Sequence, residues 1–414
     1  MLSTIYSISA LLVSFAILCL GHGLHNTLLG VRATIENYPE WITGLMMSGY
    51  FAGFIVGTYI CARLIPSIGQ IRTFAVFASV ASAISLLHVL FINEITWIIL
   101  RISYGVCIAG LYMVIESWLN ALSSPSNRGR ILSVYMVISF LSLALGQVFI
   151  FTAEPSEYTL FAVVSILISF SLVPITTSKA SQPEDISTES FGFIRLFNIS
   201  PLATIGATAS GLSIGAFWGL GAVFFTNMGL PSQDVALLIG ITFLGGLVFQ
   251  WPIGYCSDVL DRRMTIAIVI LCLTMVCIAF ITNVDHTMKH IETHLAVLAL
   301  LFGGFGYTLY SLFIALANDF LEPKYIVKAS GGLIVSHAIG AILGPIVASG
   351  FMFIWGNTGL FIFMATINLF MLIVALIRVI NGRKIPQHTS ENFVSIPKAG
   401  FGVIELDPRA DDIR

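Results

Sequence analysis

Long blocks without a single Asp, Glu, Lys or Arg recur at regular spacing along this chain, and they leave few options for its fold. They cover 1–31, 41–62, 73–93, 131–153, 158–178, 196–233, 235–257, 264–284 and 293–318. The block 329–377 is also free of charge and long enough for two spans, with a break at Trp355-Gly356-Asn357-Thr358-Gly359. One more apolar stretch, 95–121, is interrupted only by Arg101 and Glu116. A bilayer core of roughly 30 Å takes about 20 residues of helix, because each residue rises about 1.5 Å. Nine single blocks, one double block and one charged stretch predict twelve spans. The expected fold is an all-α polytopic membrane protein.

Charged residues make up 10% of the chain against roughly 25% in soluble domains, too few to coat a water-soluble surface. The first block lacks a basic n-region and a small-residue cleavage site, so it reads as the first span. Of the 19 Lys and Arg, 16 fall in alternate loops and the C-terminal tail, among them Arg63, Arg72, Arg128, Arg130, Arg262, Arg263 and Arg378. The opposite loops hold only Arg32 and Lys289. Basic loops stay cytoplasmic, so both termini are expected inside. The six cysteines sit singly in or at the ends of spans, without a CxxC pair, and suggest neither a disulfide framework nor a metal site.

The longest internal polar stretch, Thr176 to Pro201, follows the sixth span. It divides the chain into a six-helix bundle at 1–175, a cytoplasmic linker at 176–201, a second bundle at 202–380 and a cytoplasmic tail at 381–414. The halves repeat at an offset of 198 residues: Gly105 matches Gly303, Tyr112 matches Tyr310, Asn120 matches Asn318, Pro125 matches Pro323 and Gly146 matches Gly344. Paired six-helix repeats with a solute site between them at mid-membrane are a transporter architecture.

A second correspondence, near 192, relates the loops after spans 2 and 8. The later loop reads Gly254-Tyr-Cys-Ser-Asp258-Val-Leu-Asp261-Arg262-Arg263; the earlier, Pro66-Ser-Ile-Gly69-Gln-Ile-Arg72, has Pro in place of the first Asp. The later copy resembles the GxxxDxxGRR signature of the major facilitator superfamily, with Asp261 replacing the second Gly. Arg101-Ile-Ser-Tyr-Gly105 resembles that family's RxxxG element, and Gly340-xxx-Gly344-Pro345 its GxxxGP bend. Val114-Ile-Glu116-Ser-Trp-Leu, Asn127-Arg-Gly-Arg130, Gln250-Trp-Pro-Ile-Gly254 and Gly306-Tyr-Thr-Leu-Tyr310 are similar to a bacterial YcaD-type branch. The resemblance implies a transporter of the inner membrane, with spans 1, 4, 7 and 10 lining its cavity, and implies no particular solute.

Arg101 is the costliest residue, since Arg at membrane depth costs roughly 2.5–3.5 kcal/mol on insertion scales and calls for a partner or a cavity. At about 100° per residue, Arg101, Tyr112 and Glu116 fall within roughly 60° of one helical face. Such a face suits a cavity wall, with Arg101 binding an anionic solute or controlling a nearby proton; the alternative is an Arg snorkelling to the interface. Glu116 either pairs with Arg72 or Arg130 as a gate brace or carries a coupling proton. His22 and His25 share a face of span 1 at i, i+3 spacing and are candidate proton or solute contacts, or else plain interhelical hydrogen bonds. His337 in span 11 has the same two readings, and His88 is expected at the periphery. Trp218, Tyr307 and Tyr310, with Gln147 and Gln250, complete the candidate contacts.

Gly49, Gly53 and Gly57 give span 2 a smooth face on which another helix can pack or slide. Asp258, Arg262 and Arg263 read as a cytoplasmic latch, Asp258 facing the positive end of a neighbouring helix. Asp285 to His294 could gather three His, but a solvated loop explains it as well. The sequence has no Walker loop, no HExxH and no GxSxG in a strand–turn–helix context. The expectation is a monomeric secondary transporter, not an enzyme, with no cofactor and no nucleic-acid partner. It would move a small solute by alternating access, coupled to protons, with a lean to an anionic or zwitterionic metabolite. A drug exporter of the same fold is the alternative, and a non-transporting membrane sensor the remoter one.

Overall fold

Hydrocarbon offers the backbone no hydrogen-bond partners, so a chain this apolar must close its bonds within helices. A computed structural model describes residues 2–124, 127–177, 193–283, 291–321, 325–381 and 393–394, which are helical apart from short connections and contain no strand. Ten separate segments and one of double length, Lys328–Ile380, are long and apolar enough to cross a membrane. A 3₁₀ turn at Gly356–Thr358 divides the last into two helices. The twelve helices are α1 (Leu2–Ile35), α2 (Glu40–Ile68), α3 (Gln70–Leu90), α4 (Glu94–Leu122), α5 (Arg128–Gly146, prolonged by a 3₁₀ turn to Thr152) and α6 (Thr159–Phe170, continued by Leu172–Thr177). After a short helix at Phe193–Ile199 come α7 (Pro201–Asn227), α8 (Ser232–Val259), α9 (Arg262–Thr282), α10 (Thr293–Asn318), α11 (Ile326–Trp355) and α12 (Gly359–Asn381). Most of the 176–201 linker, the tail beyond 381 and the loop 284–290 lie outside the described residues.

Local signals place the breaks. Asn93 caps α4 by accepting from the backbone N–H of Ile95 and Thr96 at 3.1 and 3.2 Å. Gly69, at φ 85°, turns α2 into α3 without an intervening loop. Asp261, which departs from the family's Gly, caps α9 instead: its Oδ1 accepts from the Arg263 N–H at 2.8 Å. Outward faces stay apolar. On α9, Met264, Ile268, Leu271, Met275 and Ile278 are all exposed at helical spacing, a stripe suited to lipid.

Helices α1–α6 pack chiefly with one another, as do α7–α12. The two offsets in the sequence meet in space. A Cβ on Gly105 would strike the Tyr50 carbonyl, and one on Gly303 the Thr242 carbonyl. Gly53 and Gly245 likewise abut the carbonyls of Ile102 and Leu300, and Gly146 and Gly344 those of Leu20 and Leu212. In each pair the α1–α2 or α7–α8 partners differ by 192 and the α4–α5 or α10–α11 partners by 198. The repeat is therefore one of packing as well as of sequence. Gly49, Gly53 and Gly57 are used here for static packing: all three press on α4 inside the first bundle.

Between the bundles, α2 packs on α11, α5 on α8 and α1 on α7. The close approaches cluster toward the end opposite the termini. Gly30 meets Ala222, Gly44 meets Pro345 and Ser349, Gly219 meets Met47 and Pro345, and Gly240 faces Ala144. Small residues there let the bundles close tightly. A cavity lies between the bundles on the termini side of this seal.

Candidate functional site

The cavity has a volume of about 170 Å³ and draws its walls from α1, α2, α4, α5, α7, α8, α10 and α11. Six of the side chains expected from sequence line it: His22, Tyr112, Trp218, Tyr307, Tyr310 and His337. The contribution of α2, α5, α8 and α11 extends the wall beyond the four helices implied by resemblance. Tyr50, Phe51, Phe54, Phe140 and Phe243 enter this way.

The wall is mostly rings. His22 lies 5.4 Å from Tyr50 and 5.8 Å from Trp218, centroid to centroid. Trp218 is 5.3 Å from Phe243, which stacks on Tyr307 at 5.8 Å. Tyr307 meets Phe140 at 5.4 Å. This series runs across both bundles. On the far side, Tyr310 lies 4.6 Å from His337, whose Nδ1 pairs with the Ala207 carbonyl at 3.2 Å.

Arg101 stands one layer behind this wall. It is completely buried and is not among the lining residues, whereas Tyr50, on which it packs, is one of them. Its guanidinium lies 4.9 Å from the Tyr50 ring centroid, a cation–π contact. Nη2 donates to Asn26 Oδ1 at 3.0 Å and to Met47 Sδ at 3.4 Å. Asn26 Nδ2 in turn donates to the Trp218 carbonyl at 2.7 Å, across the bundle interface. Met47 touches Gly219, the next residue of α7. Arg101 therefore holds two side chains of the first bundle against one turn of the second, inside the seal.

His22 joins cavity and seal. Its Nε2 pairs with the Tyr50 hydroxyl at 3.2 Å and its Nδ1 with the Tyr104 hydroxyl at 3.4 Å. One ring nitrogen donates and the other accepts while the imidazole is neutral. His25 lies away from the cavity, 4.3 Å from the Tyr104 ring and 5.2 Å from His88. His88 is fully buried rather than peripheral, because Trp97 folds over the end of α3 and donates from Nε1 to the His88 carbonyl at 2.9 Å.

Glu116 sits toward the termini end of α4 and is also completely buried. It accepts from the Tyr135 hydroxyl at 2.8 Å, while Arg72 and Arg130 are exposed. Tyr135 stacks on Phe15 at 4.1 Å, and Phe15 meets the cavity residue Tyr112 at 5.5 Å.

The loop after α8 carries a dense ionic network. Arg262 reaches Asp319 at 2.6 Å and Asp258 at 3.1 Å, and also binds Ser257 Oγ and the Ala315 carbonyl, each at 3.0 Å. Asp258 further accepts from the Phe393 N–H at 2.7 Å. Arg263 lies 5.6 Å from the Phe320 ring and donates to the Arg378 carbonyl at 3.4 Å. Asp258 thus faces a guanidinium at the start of α9. The equivalent of Arg262 in the first bundle, 192 residues earlier, is Gln70, which donates to Ser117 Oγ at 3.2 Å. Pro66 and Ala121 stand where Asp258 and Asp319 would be. Among the described residues, ion pairs brace this position in the second bundle, and Gln70 gives the first a neutral hydrogen bond there.

Met47, Tyr50, Tyr104 and Asp319 carry these networks without having been singled out from sequence, and Asn26 joins them from the polar outer half of span 1. The usable signals were Asn26 in the polar run of span 1 and Tyr104 inside the Arg101–Gly105 motif. The candidate histidines at 286 and 290 lie outside the described residues; His294 is 3.1 Å from Glu292.

Comparison with known proteins agrees with this architecture. The chain is 27% identical over 368 residues to the uncharacterized MFS-type transporter YcaD of Escherichia fergusonii, covering 88% of this chain and 94% of that protein. The crystal structure of the nucleoside transporter NupG superposes with a TM-score of 0.76 at 11% identity, over 91% of this chain and 98% of that one. A bacterial homolog to the human lysosomal transporter Spinster, in an inward-facing and occupied conformation, gives 0.70 at 12% identity, over 91% and 96%. The family model of the Major Facilitator Superfamily matches residues 203–409, half of the sequence. This chain, with its twelve helices and packed six-helix repeats, belongs to the major facilitator superfamily.

Proposed function

We propose that this protein is a secondary active transporter of the bacterial inner membrane, moving a small solute by alternating access with protons as the coupling ion. The observation that carries this reading is the position of the cavity, between two bundles and behind a seal made of small-residue contacts and one Asn26-to-Trp218 hydrogen bond. Such a seal can part without breaking either bundle. The distribution of Lys and Arg favours cytoplasmic termini. With that orientation the seal is periplasmic and the cavity belongs to the inward-facing state.

His22 is the proposed proton carrier. It lines the cavity and holds Tyr50 and Tyr104 through its two ring nitrogens. Protonation makes both nitrogens donors and reverses one of these bonds. Tyr50 also packs on Arg101, so the change reaches the group that holds the seal. Proteoliposomes containing an internal pH dye test this. A pooled panel of neutral, anionic and cationic metabolites should drive proton movement with the native protein and not with His22→Gln. Equal proton movement with both would remove His22 from the coupling path.

A further inference from the structure

Resting on the transporter reading, we infer that the solute is a small, flat, uncharged molecule with at least one hydrogen-bond acceptor, bound against the aromatic wall through the Trp218 indole. Among the described residues, no Asp, Glu, Lys or Arg lines the cavity. While His22 is neutral, a charged solute would have to leave water for a wall with no counter-charge, which desolvation strongly opposes. Arg101 and Glu116 are not lining residues and stand behind the wall, where Arg101 Nη2 donates to Asn26 and Glu116 accepts from the Tyr135 hydroxyl.

The walls offer ring faces instead. Tyr50, His22, Trp218, Phe243 and Tyr307 follow one another at centroid distances of 5.3 to 5.8 Å. Aromatic partners favour offset-stacked or edge-to-face contacts in this range. A planar solute with π faces can gain such contacts on both sides of the bundle interface, which a flexible aliphatic chain cannot.

Polar selectivity comes from few points. Trp218 lines the cavity, and its Nε1 is buried with no hydrogen-bond partner among the described residues. An indole N–H is a donor only, and leaving one buried and unmade carries the full desolvation penalty of the group. A carbonyl or ring nitrogen on the solute would satisfy it. Trp218 is also the residue whose carbonyl receives the Asn26 bond of the seal. Solute on the indole and the seal on the backbone therefore meet at one residue.

Size narrows the class further. Drug-sized pockets run to roughly 300–1,000 Å³, whereas this cavity is about 170 Å³. A void of about 150 Å³ lined by apolar side chains takes up benzene. One substituted ring fits; a large lipophilic drug does not. The expectation of an anionic or zwitterionic metabolite depended on Arg101 facing the cavity, and Arg101 is not a lining residue.

Matched pairs of single-ring probes test the inference on the purified full chain in nanodiscs. Nicotinamide and benzamide should raise the melting temperature in a saturable way, since a ligand that binds only the folded state stabilises it. Nicotinate, benzoate and benzylamine at equal concentration should not. Trp218→Phe keeps the ring and loses the donor, and should weaken nicotinamide binding about tenfold without lowering the melting temperature of the ligand-free protein. Equal or stronger stabilisation by the charged partners would overturn the inference, as would a panel with no stabilisation at all. Spin labels across the seal separate the two levels of failure. A seal that opens while no neutral ring binds removes the substrate class alone, and one that never opens removes the transporter reading.

Discussion

At the scale of single residues, Arg101 is a buried charge behind the cavity wall, and its proposed role is to hold the seal through its neighbours. Its contacts to Asn26, Met47 and Tyr50 anchor three helices of one bundle, two of them against α7. Replacing a buried ionic group by an apolar one of similar size is often neutral or stabilising. We therefore expect Arg101→Met to melt within a few degrees of the native protein while transporting at least about tenfold more slowly; a large loss of thermal stability with normal transport would refute the gate assignment. Asn26→Ala removes one interbundle hydrogen bond, worth about 1 kcal/mol. That should shift the balance between sealed and open states by about fivefold, seen as faster labelling of a cysteine placed at Trp218. Much of this layer was legible in sequence. Histidines, tyrosines and one tryptophan in apolar helices pointed to the cavity wall. Helical spacing gave the face that Arg101 shares with Tyr112 but not the neighbour covering it. That depended on where Tyr50 of α2 comes to lie. His88 was misplaced for the same reason, since Trp97 belongs to the next helix.

At the scale of elements, the bundles are two copies of one packing scheme with different braces. Gly53 and Gly245 occupy equivalent places, each against a backbone carbonyl of the fourth helix in its bundle. Backbone cannot yield as a side chain can, so Gly53→Ala and Gly245→Ala should each destabilise by about 1–3 kcal/mol. A thermal melt that finds either one neutral would contradict the packing equivalence. The braces should differ. Arg262→Gln converts the second bundle to the chemistry of Gln70 but takes the guanidinium away from Asp319, which is buried. Breaking a buried pair from one side costs about 3–5 kcal/mol, and Asp319→Asn in the same protein should recover most of it. The offsets of 192 and 198 were visible in the sequence, and so was the loss of Asp at Pro66. The role of Asp319 was not, because it closes the network from α10, far from the loop signature.

At the scale of the whole molecule, the membrane fold followed from the absence of charge, while the solute class rests on what three-dimensional packing hides. The sequence displays Arg101 and Glu116 as the notable groups of α4; the folded chain covers both and presents rings. The account depends most on one claim, that the end of the bundle away from the termini parts during the cycle. Double electron–electron resonance between labels at Trp41→Cys and Phe353→Cys measures that directly, in a background with Cys256 and Cys272, the natural cysteines that are not buried, replaced by Ser. Both sites are exposed, on α2 and α11 at that end. The prediction is a short main distance with a second, longer population that grows in Asn26→Ala and in Arg101→Met. A single short distance, unchanged in both variants, would contradict alternating access through this seal.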